Sequence, residues 1–169
     1  MGGDSAGIDD NNDLMQRKDS KVFILKKQFI IGFTSSFRMG QILKYSFGPP
    51  EHPSGMGVEK YMNTLFVDEV RKVFKDKGFL LLIDDSQEQG GTFLVGYKKR
   101  LFAILDDFQI GESIGKFYSV GAGESYAIGA MEVTKTIKPR QRILKALAVA
   151  EKFNGSVRRP FVVKRLKHV

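Results

Sequence analysis

Apolar residues recur along the chain with two different periods, which separate predicted helices from predicted strands. The clearest helix is predicted over residues 58–77, where the apolar positions form one stripe at helical spacing. Its members are Val58, Met62, Leu65, Phe66, Val70, Val73 and Phe74. A second helix is predicted from a Ser/Thr cap at 34–36 to about residue 47, and a third over 139–153, with proline in its first turn. Six apolar residues of the third helix are expected to face inward: Ile143, Leu144, Leu147, Val149, Ala150 and Phe153.

Runs of β-branched and aromatic residues with turn residues between them predict the strands. The runs 21–25 and 28–33 form a predicted hairpin around Lys26 and Lys27. Segment 79–83 is either a short strand or the start of a loop that continues to residue 91. Further strands are expected at 92–97, 101–105, 108–112 and 160–166. Strands in blocks between helices are typical of α+β layers and not of alternating βαβ winding.

The stretch 117–131 joins the last of these hairpins to another predicted helix. A short β-rich run of Phe117, Tyr118 and Val120 is followed by Gly121 and Gly123, which permit backbone angles and close approaches that other residues do not. The small residues of 127–130 then predict a helix that packs tightly on a sheet. We expect one domain over 1–169, in which two helical layers flank two stacked sheets and residues 8–19 form a flexible polar loop.

The composition excludes several classes of protein. No apolar run approaches the length of a membrane span, and the acidic, polar start does not resemble a signal peptide. Without cysteine there is no disulfide, thiol nucleophile or cysteine-ligated metal, and a cytoplasmic protein is expected. His52 and His168 lie far apart in the sequence, so we expect no metal site and no cofactor.

The net charge of +8 raises the question of a nucleic-acid partner. The basic residues are dispersed over 26–27, 98–100, 140–145 and 158–168, and no RNA-binding aromatic motif, zinc finger or helix-turn-helix pattern is present. A solvated or inter-subunit basic surface is therefore favoured. A basic nucleic-acid-binding domain stays a separate hypothesis, to be tested by salt-dependent binding.

Five local sequences, in this order, carry a resemblance to a known family. They are Gly3-Asp4-Ser5, Lys21-Val22-Phe23, Gly32-Phe33-Thr34-Ser35-Ser36, Gly121-Ala122-Gly123-Glu124-Ser125-Tyr126-Ala127 and Glu151-Lys152-Phe153-Asn154-Gly155-Ser156-Val157. Together with the order of elements, they resemble the proteasome family of N-terminal-nucleophile (Ntn) hydrolases, and most closely its bacterial and phage relatives. The resemblance implies an α+β fold with a four-layer αββα sandwich and a threonine-peptidase type of amide hydrolysis.

The resemblance also implies site residues. In that family the nucleophile is a threonine, serine or cysteine at residue one of the mature chain, and its own amino group or a nearby water acts as base. Carried over, Lys21 is the lysine that lowers the proton affinity of this amine, and Asp4 is its carboxylate partner. The backbone near Ser35 supplies the oxyanion donor. The supporting positions are occupied by Ala122, Glu151 and Asn154.

The chain departs from the family pattern at several of these positions. Met1 corresponds to a point near the end of the family's second strand, so the first strand and its nucleophile are missing and the chain is expected to be N-terminally truncated. Ala122 stands where a serine is expected, and Glu151 where an aspartate is usual. We therefore expect hydrolysis only if an upstream segment carries the nucleophile. The alternative is a catalytically inactive scaffold of the same fold that self-assembles or binds peptides.

Two residues also have ordinary structural interpretations. Lys21 heads a predicted strand and could be a solvated edge lysine, while Asp4 precedes small residues and could simply form a turn.

Assembly into a ring-like homo-oligomer is implied by the same resemblance. The helix after Ser36 also has large apolar groups on more than one side, which predicts contacts beyond the core. These groups are Phe37, Met39, Leu43, Tyr45 and Phe47. Acidic residues at 84, 85 and 88 are expected to pair with lysines of a neighbouring subunit.

Overall fold

The structure, a computed structural model, describes residues 1–83 and 87–167. The helices are α1 (Phe37–Tyr45), α2 (Val58–Tyr61), a π-helical turn (Met62–Phe66), α3 (Val67–Asp76), α4 (Glu124–Val133) and α5 (Pro139–Phe153). The strands are β1 (Gly2–Gly3), β2 (Ala6–Ile8), β3 (Leu14–Gln16), β4 (Val22–Leu25), β5 (Phe29–Phe33), β6 (Leu81–Ile83), β7 (Gln87–Gln89), β8 (Phe93–Tyr97), β9 (Arg100–Ile104), β10 (Ile110–Glu112) and β11 (Val162–Val163).

The centre of the molecule is an antiparallel five-stranded sheet in the order β10-β9-β8-β5-β4. Its strands follow the predicted β-branched and aromatic runs closely. Two hairpins in it turn through adjacent lysines, Lys26–Lys27 and Lys98–Lys99, and all four lysines have positive φ angles between 44° and 65°. Lys98 and Lys99 form a two-residue loop, which needs such angles to match the twist of its strands, whereas Lys26 and Lys27 belong to a three-residue loop that also contains Gln28.

One face of this sheet is covered by α1, α2, the π-helical turn and α3. Phe29, Ile31 and Phe33 of β5 point into that layer, where they meet buried helix residues such as Leu43 and Phe66. The opposite face of the sheet is also apolar, because the alternate residues of the same strands include Ile30 and Leu94. Both faces of the sheet therefore need covering.

A π-helical turn in the middle of the long predicted helix changes which of its residues face inward. Leu65 was expected in the apolar stripe, but its side chain is 37% exposed, whereas Val67 is buried. A π-helical turn contains one residue more than an α-helical turn and so rotates the following residues around the axis. Met62, Phe66 and Val70 are buried as expected.

The second pair of layers is formed by β1 and β11, which pair antiparallel, and by α4 and α5. Its small core contains Ala127, Ala146, Ala150 and Val157. Two features of this part differ from the expectations. Helix α4 packs mainly on α5, and Phe153, expected to face inward, is 59% exposed and stacks on Tyr126.

Other segments also differ from the prediction. Residues 8–19 were expected to be a loop, but β2 and β3 form a hairpin whose turn is closed by Asp9, which accepts hydrogen bonds from the backbone amides of Asn11 and Asp13. The run 117–120 is not a strand, and the closing strand β11 is much shorter than expected. The segment 79–83 does contain a strand, β6, which pairs with β7. Residues 84–86 lie outside the described residues, as do 168 and 169.

Helix α1 offers less free apolar surface than its sequence suggests. Met39, Leu43 and Phe47 are buried in the core and Phe37 packs against it, so Tyr45 is the apolar residue that remains well exposed, at 74%. The expected contacts beyond the core thus rest on one side chain of α1.

No helix within the described ranges has the length and apolar character required to cross a bilayer.

Candidate functional site

A cavity of about 590 Å³ lies between the second face of the five-stranded sheet and the α4–α5 layer. The sheet contributes apolar side chains to its wall, and so do the helices. The sheet residues are Val22, Ile30, Leu94 and Leu101, and the helix residues are Ala127, Met131, Ile143, Ala146, Leu147 and Ala150. The volume is within the range of pockets that bind small ligands. In the part of the chain that the structure describes, β1 borders this cavity and pairs on one edge only, with β11.

An ion pair stands in the wall of this cavity. Lys21, directly before β4, and Asp4, directly after β1, are both lining residues. The Lys21 Nζ atom lies 2.8 Å from Asp4 Oδ1, and the two side chains are only 16% and 12% exposed. Such shielding from water makes a charge-assisted hydrogen bond stronger and better ordered than one on the surface. Lys21 is thus neither a solvated edge lysine nor without a partner.

Asp4 is held by the backbone as well as by Lys21. Its Oδ2 atom accepts hydrogen bonds from the amide of Ala6 at 2.8 Å and from the amide of Arg158 at 3.2 Å. The aspartate therefore closes a local turn, as its position before small residues suggested, and also orients the lysine. Asp4 thus forms the turn and contacts Lys21, while its catalytic role stays a prediction.

Ser35 lies at the same cavity, between β5 and α1. Its φ angle of +65° is unusual for a residue other than glycine. Its hydroxyl oxygen accepts a weak hydrogen bond from the amide of Thr92 at 3.3 Å. Among the described residues its backbone N–H donates to no other group, and its role as oxyanion donor stays a prediction.

The three supporting positions are only partly at the cavity. Ala122 lines it, but Glu151 and Asn154 do not. Asn154 Nδ2 donates to the carbonyl oxygen of Ala122 at 2.7 Å. Glu151 is bound to Arg159, which donates to its carboxylate through both the backbone amide and Nε, at 2.8 Å each. These hydrogen bonds hold the pKa of Glu151 below its ordinary value.

Gly121 and Gly123 shape the wall next to Ala122. Gly121 has a φ angle of +102°, and a Cβ on it would lie 2.7 Å from the hydroxyl oxygen of Thr34. A Cβ on Gly123 would lie 2.9 Å from that of Ala150. The close approach predicted for these glycines is therefore confirmed.

The Met1 amino group does not point at the Lys21–Asp4 pair. It donates to the carbonyl oxygen of Lys164 at 2.9 Å, and burial lowers its pKa. The Met1 thioether packs over Gly32, where a Cβ would lie 2.5 Å from its sulfur. Met1 contains neither the hydroxyl nor the thiol that amide attack requires.

A second cluster of titratable groups lies on the far side of the sheet. His52 hydrogen-bonds Tyr97 at 2.9 Å and the Met56 carbonyl at 2.8 Å, and it stacks on Tyr61. Burial raises the pKa of both tyrosines. Both ring nitrogens of His52 have hydrogen-bond partners, and the Tyr61 hydroxyl donates to the carbonyl of Pro50. The cluster therefore holds the loop before α2 against the sheet and is not a reactive site. Nowhere in residues 1–83 and 87–167 do three His, Asp or Glu side chains converge as metal ligands would.

Arg158 is the residue at this site that sequence reasoning missed. Its guanidinium donates to the carbonyls of Glu151, Asn154 and Val157, while its amide holds Asp4. The sequence around it, after Asn154-Gly155, indicates only a turn into a strand. No local pattern could show that this turn returns to Asp4, 154 residues earlier.

No family model matches the chain. No curated protein sequence matches it either.

Several solved structures are similar. Thiobacillus denitrificans BPH in complex with epoxomicin superimposes with a TM-score of 0.78 at 16% identity, over 99% of this chain and 92% of that one. HslV from Trypanosoma brucei gives a TM-score of 0.68 at 13% identity, over 99% and 92%. A Gly-1 mutant of Anbu from Hyphomicrobium sp. strain MC1 gives 0.64 at 16% identity, over 95% and 73%.

At these identities the similarity concerns the fold, and it extends over nearly the whole chain. The chain therefore has the α+β, proteasome-like fold of the Ntn hydrolases.

Proposed function

We propose that this chain is the core of a proteasome-like subunit that hydrolyses peptide bonds when an extended segment preceding Met1 occupies the cavity and brings a nucleophile to Lys21. The segment would add a strand to the free edge of β1. Its apolar side chains would cover Ile30 and Leu94, and its first residue, a threonine by resemblance, would lie beside the lysine.

The observation that carries this proposal is the cavity beside a shielded ion pair. A largely apolar cavity of about 590 Å³ lies between two layers that each have a buried apolar core of their own. A largely apolar cavity of this size is typical of sites that bind a ligand, so we expect an occupant. An extended peptide suits the space because β1 borders it and, among the described residues, pairs on one edge only.

The chemistry requires one attacking group and three groups that support it. The hydroxyl of the incoming first residue attacks the substrate carbonyl and gives its proton to its own amino group. The C–N bond then breaks, the proton goes to the leaving amine, and an ester remains until water hydrolyses it.

In this step the Lys21 ammonium keeps the amino group unprotonated by like-charge repulsion, and Asp4 holds the lysine. The N–H of Ser35 stabilises the oxyanion.

The upstream gene sequence and a covalent inhibitor test the proposal. The codons preceding Met1 should encode, in frame, a short apolar strand that begins with threonine, serine or cysteine. A protein that starts at that residue should gain the mass of one epoxomicin, the compound bound in the BPH complex. Residues 1–169 alone should gain none, and Lys21→Ala in the longer protein should slow the reaction.

Two results would contradict the proposal. One is an in-frame stop codon directly before Met1, with no such strand encoded. The other is a folded longer protein that forms no adduct and cleaves no peptide.

A second candidate function is a catalytically inactive scaffold of the same fold that self-assembles or binds peptides. The contacts at the three supporting positions favour it. Glu151 pairs with Arg159, and Asn154 donates a hydrogen bond to the Ala122 carbonyl. Ala122 has no hydroxyl. A longer protein that binds extended peptides without cleaving them would select this function.

In either case we propose a cytoplasmic, ring-like homo-oligomer of bacterial or phage type. The cysteine-free sequence and the fold support this assignment.

A further inference from the structure

We propose that Arg158 is a positioning residue that fixes the Lys21–Asp4 pair through the C-terminal end of α5. The inference rests on the proposed function, because it concerns the groups that would support the nucleophile. It adds to that function a residue on a distant element that controls where the lysine stands.

The first step is the contact between residues 4–5 and residues 158–160. The amide of Arg158 donates to Asp4 Oδ2, and the amide of Ser5 donates to the Arg158 carbonyl at 2.8 Å. The buried Ser5 hydroxyl donates to the carbonyl of Pro160. Three hydrogen bonds thus fasten Asp4 and its neighbour to one short segment.

The second step is the way in which that segment is held. Helix α5 ends at Phe153, which leaves its last carbonyls without partners inside the helix. Arg158 Nη1 donates to the carbonyls of Val157, Asn154 and Glu151 at 2.9, 3.3 and 3.5 Å. A positive charge here also interacts favourably with the negative end of the helix dipole. Of these three carbonyls, that of Glu151 belongs to α5 and the other two belong to the turn after it. The guanidinium therefore holds residues 154–158 in a compact turn and joins that turn to the end of α5.

Arg158 takes part in both sets of contacts. Its side chain binds the carbonyls at and after the end of α5, while its backbone amide binds the Asp4 carboxylate. Asp4 in turn binds Lys21. Of the two oxygens of Asp4, one binds Lys21 Nζ and the other binds the amides of Ala6 and Arg158. Loosening the turn would remove one of these two amides and leave the carboxylate free to rotate away from the lysine.

The neighbouring arginine supplies a matched control. Arg159 lies in the same turn and its Nε atom pairs with Glu151, but its side chain is 66% exposed and makes no contact with Asp4. Replacing Arg159 removes one positive charge and one ion pair from the turn, and replacing Arg158 removes one positive charge and the side-chain hydrogen bonds of Arg158. If Lys21 became exposed because the turn is loosened in general, both replacements would expose it. If Arg158 positions Asp4, only the replacement of Arg158 would.

The test measures the shielding of Lys21 in residues 1–169, without substrate. The protein is treated briefly with an amine-acetylating reagent, and mass spectrometry compares modification of Lys21 with that of the exposed Lys60. Arg158→Ala should raise relative labelling of Lys21 about fivefold, the change expected for a net loss of about 1 kcal/mol of hydrogen bonding. Asp4→Asn sets the upper value, and Arg159→Ala should leave labelling unchanged.

Arg158→Gln covers the case in which Arg158→Ala does not fold. Its amide can still donate to two carbonyls of the turn, so labelling of Lys21 should lie between that of the unchanged protein and Asp4→Asn. The proposal is overturned if Lys21 labelling is the same in the folded Arg158 variants and the unchanged protein, or if Arg159→Ala raises it equally. Because no turnover is measured, this result is independent of whether the chain hydrolyses peptides.

Discussion

At the scale of single residues, a contact with the ring of Phe33 distinguishes two glycines that both lie in helices. Gly40 is buried in α1, and a Cβ on it would overlap the ring of Phe33. Gly129 is exposed in α4, and a Cβ there would meet nothing within 4 Å. Replacing either glycine by alanine changes the helix propensity in the same direction. The difference between the two replacements therefore reports the effect of the contact with Phe33.

Gly40→Ala should lower the free energy of unfolding by about 1–3 kcal/mol, because Phe33 must move in a packed core. Gly129→Ala should raise it by about 0.5–1 kcal/mol, because alanine loses less backbone entropy on folding. Urea unfolding followed by circular dichroism measures both changes. A rise in the free energy of unfolding for Gly40→Ala as well would show that the Phe33 contact does not govern Gly40.

The pair formed by Arg17 and Asp19 predicts a dependence on acid. Arg17 donates to both oxygens of Asp19, at 2.7 and 2.8 Å, and this lowers the pKa of the carboxyl below its ordinary value near 3.8. A carboxyl with a lowered folded-state pKa adds stability above its unfolded pKa and loses it as the pH falls through the folded one.

Asp19→Asn should therefore lower stability at pH 7 by less than about 1 kcal/mol, since the pair is partly exposed. The difference from the unchanged protein should vanish below the lowered pKa, in strong acid. Thermal unfolding across pH 2–7 measures it, with Asp10→Asn at the exposed hairpin tip as a control of equal charge. A deficit that persists at the lowest pH would contradict this origin.

At the scale of elements, the two lysine turns of the central sheet have a backbone that their side chains disfavour. Lys98 and Lys99 connect β8 to β9 with φ angles of 44° and 65°. Such angles are costly for residues with a Cβ, and two-residue hairpin turns prefer Asn-Gly.

Replacing Lys98-Lys99 by Asn-Gly should raise the free energy of unfolding by about 1 kcal/mol. Lys98→Ala with Lys99→Ala, which removes the same charges but keeps both Cβ atoms, should give no gain. Chemical denaturation compares the two double variants. Equal stabilisation of both would mean that charge repulsion between the lysines, and not the backbone, is the cause.

Most helices and strands could be predicted because their apolar periods match the elements they form. The helix at 139–153 agrees with α5, and the strands of the central sheet agree within a residue or two. The β2–β3 hairpin could not be predicted, because its three-residue strands have no apolar alternation and β3 is exposed throughout. Leu65 and Phe153 point outward because a π-helical turn and an aromatic stack override the helical pattern.

Much less of the site could be predicted from local sequence. Lys21 and Asp4 were chosen by resemblance, and the structure places them in contact, while their catalytic role stays a prediction. The part played by Arg158 depends on a contact across 154 residues, which no spacing rule reveals.

At the scale of the whole molecule, the predicted assembly now depends on Tyr45, because it is the one of the five large apolar residues in and after α1 that remains well exposed. Its ring is 74% exposed and lies 4.8 Å from Lys44 Nζ. The acidic positions 84 and 85 that were expected to pair between subunits lie outside the described residues, and the side chain at 88 is not described.

We predict an oligomer that Tyr45→Glu dissociates, because a charge on a buried contact would be desolvated. Val133→Glu, at an 82% exposed position of α4, should leave the oligomer intact. Light scattering coupled to size exclusion measures both. A 19.0 kDa species that persists at high concentration and moderate salt would refute the ring assembly.

The most direct measurement of the central claim is peptide turnover by three proteins: residues 1–169, the same chain preceded by its own upstream segment, and that longer chain with Lys21→Ala. Residues 1–169 should release no fluorophore from a fluorogenic peptide, and the longer chain should release it. Lys21→Ala should reduce this rate by about a hundredfold or more, as expected when proton transfer by the nucleophile's amine is impaired. Turnover by residues 1–169 that survives purification and is abolished by Lys21→Ala would contradict the account, as would a folded longer chain without turnover.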